Sequence, residues 1–200
     1  MMDQIRIEDY NYNLPDERIA KYPLSERDAS KLLKYSDGNV SEYKFHEIPS
    51  ILPSGALMVF NDTKVVPARL HFQRQTGAHI EIFCLEPVDP AEYATMFAVC
   101  DKCTWKCIVG NVKRWKDDLL DLYNPDCEES LCRLQLKARL VERQGETSLV
   151  EFSWNEGYPF SKVLEMAGSV PIPPYLNRDT EAIDLERYQT LYARFRGSVA

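Results

Sequence analysis

The sequence predicts an α+β protein of more than one domain: a mixed α/β domain interrupted by a small antiparallel β-barrel. Two observations carry that prediction. Short helical signals and apolar runs occupy both ends of the 200 residues, whereas the middle reads as short segments of period-two alternation. In addition, the textures follow one another as mixed, all-β, then mixed again, which an inserted domain explains most simply. The expected division is residues 1–66, an inserted barrel over 67–152, and 153–200 as the return to the first domain, cut short at its C-terminal end.

The first helix signal is Asn13-Leu14-Pro15-Asp16-Glu17, with Asn13 as N-cap, acids in the first turn and Pro23 as the stop. Leu32, Leu33 and Tyr35 then run into Asp37-Gly38-Asn39, with Val40, Tyr43 and Phe45 beyond, which predicts a hairpin. After the Pro53-Ser54-Gly55 turn, residues 56–60 are continuously apolar and predict a buried strand ending in Asn61-Asp62-Thr63-Lys64. Alternation then marks Leu70 and Phe72, and after them Ile80, Ile82 and Cys84. Residues 96–100 and 105–109 are two further strand candidates, followed by Leu134 to Leu140 and Val150 to Trp154. Five or six strands over about 85 residues suit a small barrel or sandwich. Helical spacing returns at Val163, Leu164 and Ala167, with Gly168 just past the end. Pro171-Ile172-Pro173-Pro174 is a stiff extended segment, and Asp184 is placed to cap a last helix carrying Tyr188, Leu191, Tyr192 and Phe195.

Composition excludes several classes. The net charge of −7 gives no bulk attraction to nucleic acid, so any RNA contact needs a local basic surface. No apolar run reaches the roughly 20 residues of a membrane span, and Met1-Met2-Asp3-Gln4 opens no signal peptide, which predicts a soluble protein without membrane association. The six cysteines read as reduced thiols. Cys100 and Cys103 have ligand-like spacing, but no second pair follows and a through-running strand puts them on opposite faces, so no metal is expected. Eight ungrouped glycines supply no phosphate-binding loop, and His46, His71 and His79 belong to no triad pattern.

Several stretches, in order along nearly the whole chain, resemble one family. They are Tyr12-Asn13-Leu14-Pro15 with Ile19-Ala20, then Arg27-Asp28-Ala29-Ser30-Lys31-Leu32-Leu33. They continue through Phe60-Asn61-Asp62-Thr63-Lys64-Val65-Val66-Pro67-Ala68-Arg69-Leu70 and Val170-Pro171-Ile172-Pro173-Pro174-Tyr175 with Arg178. Glu186-Arg187-Tyr188-Gln189-Thr190 completes the set, and Gly197-Ser198-Val199-Ala200 resembles the opening of a longer motif. The family is the S-adenosylmethionine:tRNA ribosyltransferase-isomerases of queuosine biosynthesis. The resemblance implies transfer of the S-adenosylmethionine ribosyl group onto 7-aminomethyl-7-deazaguanine at the tRNA wobble position, giving epoxyqueuosine, adenine and methionine. It implies no cofactor, since S-adenosylmethionine is a substrate, and a cytoplasmic setting. It also implies a longer protein, so that residues 1–200 would lack part of the catalytic domain and be inactive alone.

That chemistry needs groups that hold a sulfonium, a base for the proton beside it, and a surface for an extruded RNA base. Asn61-Asp62-Thr63 offers amide, carboxylate and hydroxyl at a strand end, with Asp62 as base or ribose-hydroxyl acceptor, or else as part of a turn cap. Arg27 and Asp28 form either a substrate-binding pair or an ion pair bracing a loop. Tyr175 and Arg178 follow the proline segment and can be presented to a ligand at low ordering cost, the alternative being a plain connector. Tyr188 and Tyr192 share a helix face and read as core, leaving Gln189 for a base edge or phosphate. Lys113, Arg114 and Lys116 around Trp115 form the one compact basic-aromatic cluster, suited to RNA phosphate and a stacked base, or else to a solvated loop over a packed tryptophan. The rival readings are a non-catalytic RNA-binding barrel and a different methyl-donor or nucleoside-binding enzyme on a related scaffold.

Overall fold

In a computed structural model, residues 5–116 and 118–198 are described; Met1 to Gln4, and the Val199 and Ala200 of the terminal motif, lie outside them. The chain forms two compact units, one running to Val59 with Pro173–Asp179 added, the other comprising Phe60–Ile172 and the residues from Thr180 on.

In the first unit, strands β1 (Lys31–Ser36) and β2 (Asn39–Lys44) form the expected hairpin. Its turn is legible in sequence because Asp37 (φ 51°) and Gly38 (φ 83°) both take positive φ, as a two-residue turn matched to strand twist demands. A single helical turn, α1 (Ile48–Ile51), follows. Two expectations fail here. The helix expected from Asn13 is only a 3-10 turn, Asp16–Arg18, with Pro15 in the capping position and no side-chain cap, so nothing propagates it. The apolar run 56–60 is neither strand nor buried: Leu57 is 90% and Val59 85% exposed. No strand among the described residues pairs with it, and an all-apolar run becomes a buried strand only where neighbours cover both faces.

The second unit holds the core. Six strands close into an antiparallel barrel: β4 (Arg69–Gln73), β5 (His79–Asp89), β6 (Lys102–Gly110), β7 (Leu120–Leu122), β8 (Lys137–Gln144) and β9 (Thr147–Ser153). They follow the order β4-β5-β6-β9-β8-β7, and β7 pairs back onto β4. Strict alternation fills the interior, with Leu70 and Phe72, Ile80, Ile82 and Cys84, then Cys103, Trp105, Cys107 and Val109, all buried. A barrel this small is packed solid by its own side chains. Short β3 (Thr63–Val65) precedes it, and two-residue β10 (Gly168–Ser169) pairs onto β4. β3 pairs in parallel with β11 (Phe195–Ser198).

Residues 96–100, expected as a strand, are not one: 96–98 are helix, and Val99 and Cys100 lie just past its end. α2 (Tyr93–Ala98) is started by Glu92, whose carboxylate accepts from Ala94 N (3.0 Å) and Thr95 N (2.7 Å). Those capping bonds hold the Glu92 carboxyl below its usual range, the Thr95 hydroxyl contributing most. A short apolar run does not distinguish strand from helix by periodicity, and the cap decided it. Farther along, α3 (Glu129–Leu134) takes up the start of the expected 134–140 alternation, and left-handed Gln135 (φ 46°) redirects the chain into β8. The expected helix at Phe160 is α4 (Phe160–Ala167). Phe160 sits between Trp105 (5.7 Å), Phe152 (5.8 Å) and Trp154 (5.3 Å), ring to ring, and so seals one end of the barrel.

Of the six thiols, Cys84, Cys103 and Cys107 face the core and Cys100, Cys127 and Cys132 face solvent. Burial pushes Cys84 and Cys103 well above the ordinary thiol range. Under native conditions, alkylation is expected to stop at the three exposed cysteines and to reach the buried three only on unfolding. Peptide mass mapping before and after urea reads this directly; fast labelling of Cys84 would show the barrel to be open.

Candidate functional site

Three groups of predicted residues lie in three places. The first surrounds β3. Asn61 Oδ1 accepts from Thr63 N (3.1 Å) and Thr63 Oγ1 (2.8 Å), an Asx-type turn of the kind that these residue types favour. Two contacts from the far end of the unit fasten the same segment: Thr190 Oγ1 donates to Asn61 O (3.3 Å) and Arg194 N donates to Asp62 O (2.6 Å). The Phe60 and Tyr192 rings lie 4.3 Å apart. The turn therefore consumes Asn61 and Thr63 side-chain capacity and leaves the Asp62 carboxylate exposed, with no protein partner among the described residues.

Gln189 completes this region in an unexpected way. Its Oε1 accepts from Val65 N (2.9 Å) and its Nε2 donates to Val65 O (2.8 Å). The amide thus serves Val65 as a neighbouring strand would. That bond pair also explains why the last helix is a single turn, α5 (Asp184–Arg187), rather than one reaching Phe195. Residues 189 and 190 spend their side chains on β3 and the segment before it, so Tyr188 and Tyr192 do not share a helix face. Asp184, expected as the N-cap, is the first residue of α5 and fully buried, its Oδ2 accepting from Glu181 N (2.8 Å). Replacing Gln189 by leucine leaves the Val65 amide and carbonyl unpaired, and is expected to lower stability by about 1–3 kcal/mol in urea unfolding. An unchanged midpoint would mean that water replaces the amide without loss.

A cavity of about 290 Å³ opens beside this junction, lined by Lys64, Val65, Pro67, Glu165 and Gln189 among others. It stands at the lower end of the size usual for small-molecule sites. Of the predicted ligand contacts only Gln189 lines it; Asn61, Asp62 and Thr63 do not.

The second group belongs to the first unit. Arg178 Nε donates to Lys21 O (2.9 Å) and Nη1 to Asp179 O (2.9 Å), while the guanidinium lies 4.6 Å from the centre of the Tyr22 ring. Tyr22 is a partner that the sequence did not single out. Tyr175, in a 3-10 turn over Pro174–Leu176, is 59% exposed. Arg27 and Asp28 lie in another 3-10 turn, Arg27–Ala29, whose first carbonyl accepts from Ser30 Oγ (3.0 Å).

The third group is the basic cluster on the barrel. Val112–Arg114 forms a 3-10 turn entered through left-handed Asn111 (φ 58°). Lys113, Arg114 and Lys116 are exposed, whereas Trp115 is fully buried with Nε1 donating to Asp118 O (2.9 Å). Of the two readings of this cluster, the structure has the packed tryptophan: the Trp115 ring belongs to the core and stacks no base. Arg74 and Arg143, unnoticed in sequence, hold this loop from beneath. Arg74 Nε bonds Asp118 Oδ2 (2.7 Å), and this bond holds the Asp118 carboxyl below its usual range. Arg143 reaches across 28 residues to Trp115 O (2.6 Å), a long-range partner that no local pattern signals. Among the described residues no group of three His, Cys, Asp or Glu could hold a metal, and no helix is long and apolar enough to cross a membrane.

Comparison with known proteins places the chain in a family. The family model described as "Queuosine biosynthesis protein" matches residues 7–200. The chain is 37% identical over 198 residues to an S-adenosylmethionine:tRNA ribosyltransferase-isomerase of Trichlorobacter lovleyi, covering 97% of this chain and 51% of that protein. Proteins of the same name from Geobacter sulfurreducens and Aquifex aeolicus are 35% and 34% identical over 97% and 98% of this chain. The chain spans about half the length of the curated relatives it matches.

Proposed function

Because the chain belongs to the queuosine biosynthesis protein family, we propose that it supplies the scaffold and part of the substrate site of an S-adenosylmethionine:tRNA ribosyltransferase-isomerase. The observation that carries this reading is the match over 97% of the chain to relatives bearing that name. The proposed reaction moves the ribosyl group of S-adenosylmethionine onto 7-aminomethyl-7-deazaguanine in tRNA and isomerises it to epoxyqueuosine, with adenine and methionine released in the cytoplasm. The positive sulfur acidifies the neighbouring C–H, so the first demand is a base at that proton. We assign that role to Asp62; its exposed carboxylate on a backbone fastened by the Asn61 turn and by Arg194 supports the assignment. Asn61 and Thr63 shape that turn. Arg27, Asp28, Tyr175 and Arg178 are proposed substrate contacts on the first unit, and Gln189 keeps its proposed place through the cavity that it lines. Lys113, Arg114 and Lys116 are the proposed RNA contacts.

Because the chain spans about half of its relatives, residues 1–200 alone are proposed to be inactive. Adenine release from S-adenosylmethionine with precursor tRNA is the test. The expected result is none with this chain and turnover with a chain of the relatives' full length. Turnover by the 200 residues would overturn the claim of an incomplete site, and its absence from the full-length chain would overturn the enzyme reading. A second reading, an RNA-binding barrel without catalysis, is favoured by the exposure of all three cations on one short loop. It predicts tRNA binding by both chains and adenine release by neither.

A further inference from the structure

The loop at 111–116 combines three facts that a solvated connector does not require. Its outward side chains Lys113, Arg114 and Lys116 are all cations, and among the described residues none has a carboxylate within ion-pair distance. Its main chain is held by two more cations: Arg143 Nη2 donates to Val112 O (3.3 Å) and Trp115 O (2.6 Å), and Arg74 Nη1 donates to Arg114 O (2.9 Å). Its single aromatic residue, Trp115, is fully buried and pinned through Asp118 O. Five positive groups are thus gathered on a protein of net charge −7, with Asp118 bonded to Arg74. These five outnumber the two acids that follow in sequence, Asp117 and Asp118, and so produce a local positive potential against an acidic background.

Resting on the tRNA reading above, we propose that residues 111–116 are a braced clamp for the RNA sugar-phosphate backbone, in which Lys113, Arg114 and Lys116 meet phosphates and Arg74 and Arg143 are positioning residues that do not touch RNA. The same loop favours phosphate and disfavours base reading. Proteins that grip unpaired bases use exposed aromatic faces, and the only ring in this segment is sealed in the core. Lysine and arginine side chains on a preset loop are what a backbone needs: charge, reach and low ordering cost. The contact is therefore indifferent to sequence, and base recognition falls to other residues. Three functions are thus divided: Trp115 anchors the segment, Arg74 and Arg143 from outside it set its main chain, and the outward cations bind.

The test measures binding of precursor tRNA, and of a tRNA of unrelated sequence, by fluorescence anisotropy across a potassium chloride series. The triple variant Lys113→Gln, Arg114→Gln, Lys116→Gln changes only exposed side chains and is expected to fold as the parent does. It should bind at least about ten-fold more weakly at low salt, equally for both RNAs, and lose about 1 from the log–log salt slope per cation removed. The charge-keeping variants Arg74→Lys and Arg143→Lys should weaken binding about three- to ten-fold with the slope unchanged, because loop order is lost and no phosphate contact is. Tryptophan fluorescence should stay unquenched on binding, since Trp105, Trp115 and Trp154 are all buried. A triple variant that keeps the parent slope, a different factor for the two RNAs, or quenching of the tryptophan fluorescence would each overturn the clamp. If Arg74→Lys or Arg143→Lys lowers the slope, the positioning role is wrong. Should a chain of the relatives' full length bind neither RNA, the tRNA reading itself fails, and that outcome is distinct from a bound tRNA indifferent to the loop.

Discussion

Replacing Gly168 by alanine is expected to destabilise the barrel unit by about 3 kcal/mol or more, at the upper end of what a single added methyl does. A Cβ at this position would lie 1.9 Å from Pro67 O and 2.7 Å from Leu164 O. Both are main-chain atoms, so no side chain can swing aside to relieve the overlap. The backbone of Gly168 (φ −93°, ψ 158°) is ordinary extended conformation that alanine adopts freely, so the cost is contact alone. Relief requires moving either the end of α4 or the entry to β4, and β10 ties the two together by pairing Gly168 with Leu70 and Ser169 with Arg69. The helix whose Phe160 seals the barrel would be displaced with it. Urea unfolding followed by circular dichroism measures the loss. A midpoint within about 0.3 kcal/mol of the parent would show that α4 is not held against Pro67 as described.

The second large effect is expected on activity. In a full-length chain, Asp62→Asn should reduce adenine release about 10²- to 10⁴-fold, the usual contribution of a positioned general base. Asparagine keeps the size and turn-forming character of the residue, and the segment's fastening runs through Asn61, Thr63, Thr190 and the main chain of Asp62 rather than through its carboxylate. Stability and the binding of S-adenosylmethionine should therefore change little while turnover falls. A loss of less than about ten-fold would remove Asp62 from the role of base and move it to the other half of the family's length. Loss of binding with turnover per bound substrate intact would instead make it a ribose-hydroxyl acceptor, the alternative its residue type left open.

How far these features are legible in sequence depends on the range of the interactions that decide them. The barrel strands are legible because alternation is a local signal: Ile80, Ile82 and Cys84 each point inward as the period requires. The hairpin is legible because Asp37-Gly38 prescribes its own turn. Residues 96–100 mislead because three hydrogen bonds to one carboxylate, Glu92, outweigh the strand character of the run that follows. The run 56–60 misleads because its apolarity promises a cover that Leu57 and Val59 do not receive from the described residues. At the candidate site, residue types identify Asn61 and Thr63 as turn formers, but nothing local reveals that Gln189 stands in for a strand beside Val65. Arg74 and Arg143 are missed for the same reason, their partners lying 40 and 28 residues away. Trp115 belongs to a pattern that fits both a stacking platform and a core anchor, and only burial separates them.

The amide bridge between Gln189 and Val65 also sets a timetable. Its two ends are 124 residues apart, so a ribosome adding about 5–20 residues per second releases the second roughly 6–25 s after the first. The barrel strands, by contrast, pair largely with near neighbours in sequence and can close within that interval. During synthesis β3 must wait beside a finished barrel without its late-made partners. Until that interval ends, the edge of β3 stays open to pairing with other strands.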